Sequence, residues 1–376
     1  MDPSLFANYS FIILLMMRAH NFSAGPATLP EEVLMQAAAE LPEYRGTGMS
    51  LIESSHRSKA YDEVHTQAID RIKSLLGITD SHEVLLLGGG ATMQFGMVPL
   101  NLLPGGSFCD FTVSGAWAEK ALDDAKKIGA VKVVFDGESS SYTTLPNPYE
   151  LETHADAAYL HLTSNETING LQWRDFPDTQ GVPIVADMSS DIMSRPLPMD
   201  RFGVIYAGAQ KNLGPSGVTV VIIRRDLLPK CNADLPAYLT YPTHASKQSL
   251  YNTPPVFPIY LMNLVLGWVD AQGGVAAMQD ASQVKSDLIY SIIDESEGFY
   301  RCPVDSSCRS RMNVVFNLKS TELEAAFLKK AGDAGMVGLK GHRSVGGIRA
   351  SLYNALPMAA VNDLAAFMKG FAADHG

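Results

Sequence analysis

At 376 residues the chain is too long for one small core and predicts two or three structural units. Hydrophobic residues make up 46% and charged residues 18%, an ordinary globular composition that excludes disorder and a multi-span membrane protein. The net charge of −11 argues against nucleic acid or an anionic membrane as the main partner, but leaves room for a cationic pocket and an anionic small substrate.

In chain order, Phe11 to Met17 is apolar but much shorter than the ~20 residues that span a bilayer. No basic residue precedes it, so a signal peptide is not expected. We expect Met17 to be the natural start and residues 1–16 an upstream extension. A turn-rich segment, 17–30, leads to a helix carrying Val33, Leu34, Ala37, Ala38 and Leu41 at helical spacing, with Glu31 and Glu32 at its positive end. A polar loop, Arg45 to Lys59, holds His56 and Arg57, and a second amphipathic helix runs from about Tyr61 to Leu76.

Val84 to Leu87 reads as a strand, Gly88-Gly-Gly-Ala-Thr92 as a tight turn, and Met93 to Leu102 as the start of a helix. Strand, glycine turn and helix together aim unpaired backbone N–H groups at an anion. The turn has neither the lysine of a nucleotide P-loop nor the spaced glycines of a dinucleotide site. Strands are predicted at 108–113, 131–135, 157–162, 182–186, 204–207 and 218–223, with a helix at 117–128. Such alternation implies an α/β fold with a mostly parallel sheet, whose ligand crevice lies beyond the carboxyl ends of the strands. Thr92, Thr167, Asp187 and Lys211 all follow predicted strand ends. A proline-rich loop at 252–258 precedes a long helical stretch that pauses at Gly273-Gly274 and resumes to about Asp294. A strand (312–318), a helix (322–331), a basic glycine loop (340–347), a strand (348–352) and a terminal helix (359–372) complete a small α+β unit. The expected division is a large domain, 31–275, and a small C-terminal domain, 276–376, with 17–30 packing on the latter.

Lys211 lies between two apolar strands among small residues, and lysine is rarely buried without a task. Pyridoxal phosphate needs a lysine for a Schiff base, a carboxylate at its pyridinium nitrogen, donors for its phosphate and an aromatic face over its ring. Lys211, Asp187, the turn Gly89 to Thr92 and Trp117 offer these in turn. Cys109, Cys231, Cys302 and Cys308 fit neither a zinc site nor a disulfide framework and read as reduced thiols of a cytoplasmic protein. No metal site is expected.

The blocks Asn21-Phe-Ser-Ala-Gly-Pro-Ala, Ser55-His-Arg57, Asn165-Glu-Thr-Ile-Asn-Gly170, Ala207-Gly-Ala-Gln-Lys-Asn212, Asn252-Thr-Pro-Pro255 and Gly341-His-Arg-Ser-Val-Gly-Gly-Ile-Arg-Ala-Ser351 resemble the phosphoserine aminotransferase family, from about Met17 to Gly376. The resemblance implies a pyridoxal-phosphate-dependent enzyme of fold type I in the class-V group, working as a homodimer in serine biosynthesis. Lys211 would form the Schiff base and shuttle a proton. Asp187 would hold the pyridinium, Trp117 would stack on the ring, and Thr167 would bond the ring oxygen. Ala91, Thr92 and Gln210, with Asn252 and Thr253 of the other subunit, would hold the cofactor phosphate. Arg349 would grip the substrate α-carboxylate. His56, Arg57, His342 and Arg343 would receive a distal phosphate or the glutamate side chain, some of them across the dimer interface. Where some members carry arginine, this chain has Thr92, which offers a hydroxyl but no cation. The resemblance leaves open a second substrate, 4-phosphohydroxythreonine of vitamin B6 biosynthesis. The competing readings are another class-V aminotransferase of different substrate and a non-catalytic relative of the same fold.

Overall fold

Short Val- and Ile-rich runs assemble into a seven-stranded sheet in the computed structural model, which describes residues 18–376; the expectations for 1–17 lie outside that range. The strands are β1 (His82–Leu87), β2 (Phe108–Val113), β3 (Ala130–Asp136), β4 (Leu160–Thr163), β5 (Ile184–Asp187), β6 (Phe202–Gly208) and β7 (Thr219–Arg224). Their order is β1-β7-β6-β5-β4-β2-β3. β7 runs antiparallel to both its neighbours, and the other pairings are parallel. The reversal follows from the link Ala209–Val218, too short for the crossover that a parallel return demands.

Among the described residues eight helices of ten residues or more surround this sheet and the C-terminal one, α1 (Glu31–Glu40), α2 (Lys59–Leu76), α3 (Gly90–Leu102), α4 (Ala116–Ile128), α5 (Val256–Ala271), α6 (Gly274–Asp294), α7 (Thr321–Asp333) and α8 (Met358–His375), and a short helix covers Tyr241–Ser246. Strand side chains alternate between two apolar cores. Val84, Leu86, Ile184, Ala186, Ile205, Ala207, Val220 and Ile222 face α1, α2 and α5. Leu85, Leu87, Val185, Val204, Tyr206, Val221 and Ile223 face α3 and α4. Each large aliphatic buried in this way contributes about 1.5–3 kcal/mol, and both faces are covered, so the central strands are apolar throughout. β3 is the exception. It forms the edge of the sheet, and Val133 remains 42% exposed.

A separate core gathers around the antiparallel strands β8 (Tyr300–Arg301), β9 (Asn313–Leu318) and β10 (Ile348–Ser351), covered by α7 and α8. α6 belongs to both cores: Val275 and Met278 pack in the first, Ile289, Ile292 and Ile293 in the C-terminal one. His20–Asn21 pairs in parallel with Met336–Val337, and Phe22 is buried in the C-terminal core. From there the segment runs to the main sheet, where the Ala27 N–H donates to the Gln210 carbonyl at 2.8 Å.

Candidate active site

The six parallel strands end at one rim, because a common direction puts every carboxyl end on the same side. There β4 ends at Thr163, β5 at Asp187 and β6 at Gly208, three residues before Lys211. The turn after β1 opens α3, and the link after β2 opens α4 with Trp117 in its first turn. A cavity of about 290 Å³ lies among them, lined by Ala91, Thr92, Trp117, Thr163, Thr167, Asp187, Ser189, Gln210, Lys211, His342 and Arg349.

The Lys211 Nζ donates to Thr167 Oγ1 at 2.8 Å and sits 5.7 Å from the centre of the Trp117 ring. Burial pushes its pKa down to about 8, against the opposing pull of Asp187 and Glu166, with Arg349 adding to the depression. Asp187 is buried; its Oδ1 accepts the Ser189 N–H at 2.9 Å and the Ser189 hydroxyl at 2.7 Å. Burial raises the Asp187 pKa, and the Ser189 bonds and Lys211 hold it back. Among the described residues Oδ2 takes no hydrogen bond, which leaves an acceptor for a protonated ring nitrogen. Asn212 fixes the lysine's neighbour: its Oδ1 accepts the Asn354 N–H at 3.0 Å, tying the Lys211 turn to the end of β10.

α3 starts at Gly90 with no side-chain cap, so its first N–H groups are available to an anion. Gly89 has φ +90°, and a Cβ there would lie 2.7 Å from Met93 Cβ, so this turn is closed to other residues. Arg349 is half-buried. Its Nη1 donates to the Thr167 carbonyl at 3.3 Å, its Nε has no partner among the described residues, and burial depresses its pKa. The His342 Nδ1 and Ser344 Oγ lie 2.7 Å apart, and burial, Arg349 and Arg343 together lower the pKa of His342.

Of the residues singled out in sequence, Ala91, Thr92, Trp117, Thr167, Asp187, Gln210, Lys211, His342 and Arg349 therefore meet at one cavity. Arg57, Arg343, Asn252 and Thr253 are exposed, His56 is partly so, and none of the five lines it. Three groups at the site carried no role in the sequence reading: Ser189, Thr163 and Glu166. Asp187-Met-Ser189 could have signalled the first, since a serine two residues after an aspartate readily closes on it. Among the described residues Thr163 Oγ1 is buried without a partner. An uncapped helix start, a buried carboxylate with one free oxygen, an orphaned hydroxyl and a lysine of lowered pKa fit pyridoxal phosphate. Ala91, Thr92 and Gln210 would hold its phosphate, Asp187 its ring nitrogen, and Trp117 its ring face.

The aminotransferase class-V family matches residues 19–364. The chain is 51% identical over 360 residues to the phosphoserine aminotransferase of Herpetosiphon aurantiacus, covering 96% of this chain and all of that one. It resembles the solved phosphoserine aminotransferase from Bacillus circulans subsp. alkalophilus, with a TM-score of 0.94 at 52% identity over 96% of this chain and 99% of that one. It also resembles a phosphoserine aminotransferase from Trichomonas vaginalis solved with pyridoxal phosphate bound, with a TM-score of 0.86 at 37% identity over 94% of this chain and all of that one.

Proposed function

The chain belongs to the class-V aminotransferase family, and from that premise we infer its reaction: it transfers an amino group between glutamate and 3-phosphohydroxypyruvate, giving 2-oxoglutarate and O-phosphoserine, with pyridoxal phosphate as cofactor. The observation that carries this reading is the half-buried Lys211 amine, hydrogen-bonded to Thr167 in the cavity that Asp187 and the α3 start share. When bound, pyridoxal phosphate supplies an aldehyde that captures amines and a cationic ring that draws electrons from the substrate α-carbon.

Lys211 moves the proton. Its lowered pKa, about 8, lets Nζ give up its own proton readily, and the neutral amine accepts the α-proton and returns it. Asp187, its Oδ1 held by Ser189, keeps a proton on the ring nitrogen through the opposite oxygen. The α3 N–H groups, Thr92 and Gln210 bind the phosphate, Trp117 covers one ring face, and Thr167 bonds the ring oxygen. Arg349 receives the α-carboxylate, for which a guanidinium fork is suited. His342 stands beside it, and Arg343 extends the same basic loop toward the distal phosphate. We assign His56, Arg57, Asn252 and Thr253 to the site of a second copy, because neither they nor their loop neighbours line their own chain's cavity, whereas Arg343 follows His342, which does. The enzyme is accordingly a homodimer with sites at its interface, and its four unpaired cysteines suit a cytoplasmic setting. We place the boundary between the large and small domains near Gly274.

Purified protein should be yellow or become so with pyridoxal phosphate, lose that absorbance on borohydride reduction, and convert phosphoserine faster than serine. A colourless preparation that cannot be reconstituted would contradict the cofactor assignment. Equal rates on phosphoserine and serine would point instead to another class-V aminotransferase. Phosphohydroxythreonine in the same comparison decides whether the vitamin B6 precursor is a substrate.

A further inference from the structure

Glu166 has no part in the chemistry described above, yet it is 1% exposed and sits between Asn165 and Thr167, which both line the cavity. Its Oε1 accepts the Ala118 N–H at 3.0 Å and its Oε2 accepts the Trp117 N–H at 3.3 Å. These are the second and third residues of α4, the donors that an N-cap side chain ordinarily satisfies. The N-cap here is Gly115, which has no side chain to offer. A Cβ on Gly115 would stand 2.7 Å from Glu166 Cδ and 2.9 Å from Oε2, so the glycine keeps open the space that the carboxylate fills. The next residue, Thr167, accepts the Lys211 Nζ hydrogen bond, so one dipeptide grips both the Trp117 backbone and the reactive lysine.

We propose that Glu166 is a positioning residue: its carboxylate caps α4 in place of a Gly115 side chain and so fixes the Trp117 indole at the wall where the cofactor ring binds. This rests on the assignment of Trp117 to the cofactor ring made above. A carboxylate suits the place because it accepts two N–H bonds at once and opposes the positive end of the helix dipole. Burial raises its pKa to about 7, with Asp187 contributing, while the Ala118 and Trp117 N–H groups and Lys211 favour the ionised form. Such a buried acid is retained at a cost and has a local task to explain it.

The test measures the dissociation constant for pyridoxal phosphate by equilibrium dialysis and the visible circular dichroism of the bound cofactor, which reports ring orientation. Glu166→Ala should weaken binding about tenfold, the scale of a lost charged cap, and reduce the dichroism. Adding Gly115→Ser to Glu166→Ala supplies a hydroxyl cap locally and should recover most of both signals. Wild-type binding by Glu166→Ala, or no recovery in a double variant that still unfolds cooperatively, would overturn the proposal. Should Glu166→Ala fail to fold, Gly115→Ala displaces the carboxylate while keeping it in the chain, and unchanged binding there would overturn it equally. Failure of the wild-type protein to bind pyridoxal phosphate would instead refute the functional reading on which the proposal rests.

Discussion

Lys211 combines a polar contact with a half-buried, charge-crowded setting, and this makes its proton sensitive to folding. The folded chain releases that proton near pH 8, while an unfolded chain keeps it to about 10.5. Between those values the unfolded state holds more protons, so this group makes the ligand-free protein more stable as pH rises, by up to ~1.4 kcal/mol per pH unit. In urea unfolding across that window the change of stability with pH should be less positive for Lys211→Met than for wild type, by up to ~1.4 kcal/mol per pH unit; equal slopes would count against the depressed pKa. Lys211→Ala should lose at least about a thousandfold in turnover while still retaining non-covalent cofactor. That Lys211 and Asp187 meet at one cavity was legible in the sequence, because each follows a strand end, whereas Arg349 was singled out through the family resemblance. Glu166 was not, because its two partners lie far away in the chain and acquire meaning only once the strand ends converge.

At the scale of elements, α6 joins the two cores and carries a buried lysine, Lys285. The Lys285 Nζ donates to the carbonyls of Tyr353, Asn354 and Leu356 at 2.9, 3.2 and 3.1 Å, and burial lowers its pKa to about 8. This segment includes Asn354, whose N–H holds Asn212 beside Lys211. Lys285→Met should therefore cost about 2–4 kcal/mol in urea unfolding by orphaning three carbonyls; a change below about 0.5 kcal/mol would refute that clamping role. Periodicity located the eight longer helices and short apolar runs the strands of the main sheet, but not the six-residue helix Tyr241–Ser246, and the short link around Lys211 accounts for the single reversed strand. The pairing of His20–Asn21 with Met336–Val337 escaped notice, since a two-residue ladder leaves no periodic signal.

For the whole molecule, the division of cationic residues between the cavity and the outer surface is the decisive feature. Arg349 and His342 reach the cavity of their own chain, whereas Arg57 does not. If Arg57 serves the site of a second copy, a hybrid of Lys211→Ala and Arg57→Leu chains contains one site with both native residues. Mixing the two inactive proteins under dissociating conditions should restore activity, and no recovery would confine each site to one chain. Arg343→Leu should raise the Michaelis constant for phosphoserine more than for an unphosphorylated analogue, while equal losses would remove it from phosphate binding. Sequence could not make this division, because exposure on one chain and service to another look alike in a string of residues. The most direct test of the whole account is borohydride reduction of the holoenzyme followed by peptide mass mapping. The account predicts a phosphopyridoxyl group on Lys211 alone; attachment to any other lysine, the buried Lys285 included, or no attachment at all, would contradict it.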